Sequence, residues 1–121
     1  MTIAKTSAVA IPRTQWEEFL QSFSEQHRHW QVQLETHDLQ TEETVVSHET
    51  RLRSIVLDLE DEKNPRINVL VESGNNVIKH ILFRPSHLVL HPPTPVSAEA
   101  LHIDTVHTAT TVRFRPVGTT I

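Results

Sequence analysis

Histidine and arginine are the residues here whose type and spacing could support chemistry. Nine histidines in a chain of 121 residues call for a test as a metal centre, because neutral imidazole is the commonest nitrogen ligand. The nearest group is His27, His29 and the later His37. On a helix, positions i and i+2 point apart, so His27 and His29 converge only where the helix has ended and the chain runs extended. No His-Glu-x-x-His pattern occurs, and the remaining histidines scatter singly. Arg51-x-Arg53 and Arg113-x-Arg115 each place two guanidinium groups on one face of a strand, opposite its apolar residues. Together with Arg84 they could form an anion site or a partner-facing patch; the plainer alternative is a solvated sheet face with positive residues at strand ends.

Other chemistries have less support. The chain has no cysteine, which excludes disulfides, thiolate catalysis and cysteine-based zinc or iron–sulfur sites. It has two glycines, Gly74 and Gly118, too few for a phosphate-cradling loop, and no Gly-x-Ser-x-Gly elbow. Neither a cofactor nor a catalytic residue is assigned. A net charge of -4 argues against nucleic acid as a partner. No run approaches the ~20 apolar residues of a membrane span, so a soluble, cytoplasmic protein is expected.

The elements that must position these residues follow from periodicity. In the stretch Ile11–Trp30, residues Trp16, Phe19, Leu20 and Phe23 fall at i, i+3, i+4 and i+7, one apolar stripe of a helix of about three turns. Thr14 and Glu17 have capping-box spacing. So short a helix is marginal alone and needs a sheet to bury its stripe. Downstream, alternation predicts strands over Trp30–His37, Thr44–His48, Ser54–Glu60, Arg66–Glu72, Val77–Phe83 and Leu88–Leu90, and around Leu101–Thr105 and Thr110–Phe114. Ser73-Gly74-Asn75-Asn76 marks the clearest hairpin, and its second strand has apolar residues on both faces, the pattern of a central strand or of one partly covered on each side. Ser97–Ala100 reads as a single helical turn. Connections this short exclude the crossovers of a parallel sheet. The expected fold is α+β: one N-terminal amphipathic helix packed on a twisted antiparallel β-meander or partly open barrel of about seven strands. Residues 1–10 are expected to form a disordered tail, 11–117 a single domain and 118–121 a C-terminal tail.

At Ile11-Pro12-Arg13, Trp16, Phe19-Leu20, Phe23-Ser24, His27 and Trp30 the chain resembles a bacterial family of small proteins known only as a domain of unknown function. Leu101-His102-Ile103-Asp104 and Thr110–Arg115 are similar to that family's C-terminal part. The resemblance implies no activity, cofactor or catalytic residue. It does draw attention to His27 and Trp30, just past the helix.

Three functional readings result. The first is a non-enzymatic interaction or accessory module, self-associating or bound to an unknown protein partner, because exposed strand edges are easily paired. The second is a small-molecule or anion-binding domain, or a weak enzyme, with His27, Arg113 and Arg115 at the mouth of the curved sheet. The third is a metal protein centred on His27, His29 and His37. The side chains singled out for ligand or partner contact are His27, His29, Trp30, Arg113 and Arg115.

Overall fold

The computed structural model describes residues 8–47 and 50–116. Its elements are β1 (Val9–Ala10), a 3-10 turn (Arg13–Gln15), α1 (Trp16–Gln26), β2 (Gln31–Asp38), β3 (Thr44–Val46), β4 (Thr50–Asp58), β5 (Arg66–Ser73), β6 (Asn76–Phe83), β7 (His87–His91), β8 (Glu99–Asp104) and β9 (Thr108–Arg115). All nine strands belong to one open antiparallel sheet of order β1-β7-β8-β9-β2-β4-β5-β6, with β3 also on β2. The chain is thus mostly sheet with one short helix, and this corrects the expected α+β meander or partly open barrel of about seven strands. One extra strand comes from Val9–Ala10, which pairs with Leu90 and Val89 although its two residues are too short a run to read as a strand. The other expected tail residues, 1–7 and 118–121, lie outside the described residues.

The larger difference is connectivity. β2 does not begin a meander but lies at its centre, paired along all eight residues with β9, the last strand. On its other flank β2 meets β4 at Gln31–Val32 and β3 further along. Two three-stranded wings result: β7-β8-β9 on one side of β2, and β4-β5-β6 on the other. Alternation within a strand reports which face is apolar, not which strand comes next to it, so this order was not readable from pattern.

One face of this sheet makes the core. Val32, Leu34, Leu52, Ile55, Ile67, Val69, Val71, Leu88, Leu101, Ile103, Val112 and Phe114 are buried in a single cluster with Trp16, Leu20 and Phe23 of α1. Among the strands, the helix backbone lies chiefly against β4. Val69 and Val71 on one wing and Leu101 and Ile103 on the other are nonetheless fully buried, at 0% exposure. The wings therefore fold toward one another over the helix's aromatic side chains. The link from β6 to β7 requires the same curvature, since Arg84–Ser86 alone joins the last strand of one wing to the outer part of the other. Four residue steps span at most roughly 14 Å.

Local chemistry fixes α1 on β4. A bulge between Leu52 and Ser54 shifts the register, so that Leu52 and Ile55 both face inward despite their odd separation. At the bulge, Ser24 Oγ donates to the Ile55 carbonyl at 2.9 Å and accepts from the Ile55 N–H at 2.7 Å. One buried hydroxyl satisfies both backbone groups of Ile55. The helix starts differently from the expected capping box: Thr14 lies in the 3-10 turn, and neither cap residue makes a side-chain cap bond. Instead, Trp16 Nε1–H donates to the Ile11 carbonyl at 2.8 Å, tying the entering chain to the first core residue.

The β5–β6 hairpin forms as expected around Gly74, whose φ of 61° suits a two-residue turn with glycine first. Its second strand, however, is the sheet's edge rather than a central strand. Nor is there a helical turn at Ser97–Ala100, because Glu99 and Ala100 already pair with Phe114 and Arg113. The preceding turn is held by Thr94 Oγ1, which accepts from the Ser97 N–H at 3.0 Å.

Two predictions follow from this packing. Ser24→Ala orphans two buried backbone groups and is expected to cost about 1–3 kcal/mol in urea unfolding; Leu20→Ala, at 0% exposure, is expected to cost about 2–5 kcal/mol. His80, on the inner face of β6 opposite Val69, has its Nε2 buried without a partner, and burial lowers its pKa below the ordinary 6.5. Below pH ~6.5 the unfolded chain takes up a proton that the folded chain resists, so stability is full above that value and falls as pH drops toward the lowered folded one. Unfolding curves from pH 7.5 to 5 check this: His80→Val is expected to flatten the decline, and an unchanged slope would remove His80 as its cause.

Candidate functional site

The site begins where α1 ends. His27 is 4% exposed. Its Nδ1 lies 2.8 Å from the Phe23 carbonyl and its Nε2 2.5 Å from Glu99 Oε1. A carbonyl can only accept, so Nδ1 carries a hydrogen, and Nε2 shares a hydrogen bond with the Glu99 carboxyl group. Around the ring stand Phe23, Trp30 and Phe114, with centroids at 4.0, 4.5 and 5.0 Å. Both ring nitrogens are engaged, so neither is free for a metal or for a substrate proton. His27 instead pins the helix end to β8, whose first residue is Glu99.

Glu99 was not visible as a partner in the sequence. It lies 72 residues from His27, and a lone glutamate before an apolar run carries no local signal. Its position follows from register, since Glu99 is opposite Phe114 and shares that residue's inner face.

The remaining candidates go to different places. His29 is exposed and takes a left-handed φ of 71°, while its N–H donates to the Leu52 carbonyl at 2.8 Å. It turns the chain out of the helix, a position that favours glycine. His37 is bonded to Thr44 Oγ1 at 2.9 Å near the far end of β2. From Gln31 to His37 the strand runs roughly 20 Å, so His27, His29 and His37 do not share one centre. Among the described residues no group of three or more metal-competent side chains occurs.

Arg113 and Arg115 are exposed on the outer face of β9, while Phe114 between them is buried against His27. The sheet thus separates His27 from both arginines. The two surfaces meet only at the strand's end, in adjoining grooves that share Ala98, Phe114 and Arg115. One groove, about 680 Å³, is lined by Gln31, Gln33, Arg113 and Arg115 with Val32, Ala98 and Phe114. The other, about 420 Å³, runs between Trp30, Glu99 and the Pro93–Ala98 loop. One is rich in donors; the other is floored by aromatic rings.

A separate polar array crosses the outer face of β8 and β9. His102 Nε2 lies 2.8 Å from Asp104 Oδ1 and its Nδ1 3.1 Å from Thr111 Oγ1, with the His91 ring 6.3 Å away. Hydroxyl, imidazole and carboxylate stand in relay order, but neither groove includes them. On an open sheet face the arrangement acts as a cross-strand polar pair.

Urea unfolding separates these roles. His27→Ala leaves the Phe23 carbonyl and the part-buried Glu99 carboxyl without their partner and is expected to lose about 1–3 kcal/mol. His29→Gly is expected to hold or raise stability by up to about 1 kcal/mol, because glycine takes the left-handed conformation without strain. A marked loss at His29 would mean that its ring is needed.

No curated protein and no solved structure matches the chain. One family does match, over residues 7–118, which is nearly the whole length and includes α1, both grooves and every described strand. The chain therefore belongs to the family of unknown function DUF5335.

Proposed function

We propose that this chain is a non-enzymatic accessory module, bacterial and cytoplasmic, that pairs with a second copy of itself through β6. The observation that carries the reading is a mismatch between composition and position. β6 has the apolar side chains of a central strand on both faces but stands at an edge of the sheet, with one flank unpaired among the described residues. Val77, Ile78, Ile81 and Phe83 are 49, 41, 37 and 55% exposed. Val56 of β4 extends the outer apolar face at 46%. Beside them Asn68 is 5% exposed, and its Oδ1 is buried without a partner. An edge of this length with a single charge, Lys79, has little of the protection that keeps sheet edges apart.

A two-fold pairing of β6 with its copy satisfies both features, since it completes the ladder and buries the outer row against the same row of the partner. Like charges directly opposite are unfavourable, so the register that sets Lys79 against Lys79 is disfavoured. The register centred on His80 sets Lys79 against Ile81 and Val77 against Phe83. Among the described residues no helix is long and apolar enough to cross a membrane.

Light scattering over a micromolar to millimolar concentration series tests the reading. The native chain is expected to be a dimer, and Val77→Lys combined with Ile81→Lys, both on the exposed outer row, is expected to give a folded monomer. A native chain that stays monomeric throughout, or a doubly substituted chain that still dimerises, would refute it.

A further inference from the structure

We propose a second binding site on the outer face, over Gln31, that takes the acid group of a small organic anion between Arg51 and Arg115. Gln31 is the one residue of β2 paired on both flanks with arginine: with Arg115 of β9 and with Arg51 of β4. Register partners in an antiparallel ladder stand on the same face, so both arginines rise beside the Gln31 side chain. Their Cα atoms are two strand spacings, roughly 10 Å, apart. Two guanidinium groups on long side chains converge on a single oxyanion across that gap, and the Gln31 amide supplies a further donor beneath it.

Charge and chemistry at this spot favour an anion. Arg113, opposite Gln33, is held by Glu35 at 3.4 Å, and Glu72, which stands opposite Arg51 on the same face, is held by Arg53 at 3.7 Å. The two carboxylates on this part of the face are therefore engaged. Arg51 and Arg115 form no ion pair among the described residues. The adjoining 680 Å³ groove is lined by donors and includes no carboxylate. Its apolar wall is Ala98 with the aliphatic stems of the arginines, against which a ligand's hydrocarbon body can lie, while the Phe114 ring is buried on the inner face and takes no part. The combination describes a carboxylate or phosphate monoester with a compact apolar or aromatic body. Inorganic anions fit the arginines and leave the wall unused. This site lies across the sheet from His27 and is independent of pairing through β6.

The test is an NMR titration of the ¹⁵N-labelled full chain at low ionic strength with phenyl phosphate, benzoate and inorganic phosphate. Saturable shifts are expected at Gln31, Gln33, Arg113 and Arg115. The better of the two aromatic acids is expected to bind about threefold or more tighter than inorganic phosphate, because only the aromatic probes use the wall; which head group wins assigns the acid. Arg51→Gln with Arg115→Gln is expected to weaken binding about tenfold or more, whereas Lys63→Gln, a loss of charge in a distant turn, leaves it unchanged. The inference is overturned if no probe saturates in the millimolar range, if inorganic phosphate binds as well as the aromatic acids, or if the double variant, its spectrum otherwise intact, binds as before.

Discussion

A sheet with one apolar face needs a cover, and this chain supplies a single helix of three turns. That shortage dictates the architecture. A helix lying on β4 can shield only part of nine strands, so the two wings must supply the remaining cover by curving toward each other. The aromatic stripe of Trp16, Phe19, Leu20 and Phe23 fills the space between them because large rings reach further than aliphatic side chains. The rest of the molecule is subordinate to this packing: the bulge that turns both Leu52 and Ile55 inward, the serine that satisfies Ile55, and the His27–Glu99 pair that fastens the end of the helix to β8.

The same constraint sorts the polar residues. Inner-face histidine is buried among aromatic rings and loses its freedom to act on a ligand, as His27 shows; outer-face arginine remains available, as with Arg51 and Arg115. A strand puts neighbouring residues in opposite environments. His27 and Arg113 therefore cannot share a site, although both touch the surroundings of Phe114.

Much of this was legible in the sequence. The helix and its stripe, the β5–β6 hairpin and the inward residues of β2 and β9 follow from periodicity, since burial selects residue type locally. What was not legible depends on contacts distant in the chain. The pairing of β2 with β9, the Glu99 partner of His27 and the flanking of Gln31 by Arg51 and Arg115 each join segments dozens of residues apart. The strand β6 is a different kind of miss. Its composition suggested a central strand, whereas its place in the chain order left it at an edge; the disagreement is informative about the surface.

The position of β2 also bears on how the chain is made. Its central flank is completed by β9, whose residues 108–115 follow β2 only after the whole of both wings' other strands has been made. Until they emerge, Val32 and Leu34 lack half their neighbours and the helix has one wing to rest on. Pairings of such long sequence separation are slow to form, on the millisecond-to-second scale typical of sheet-rich domains. The nascent chain therefore stays incompletely folded until β9 has emerged, with β6 already exposed.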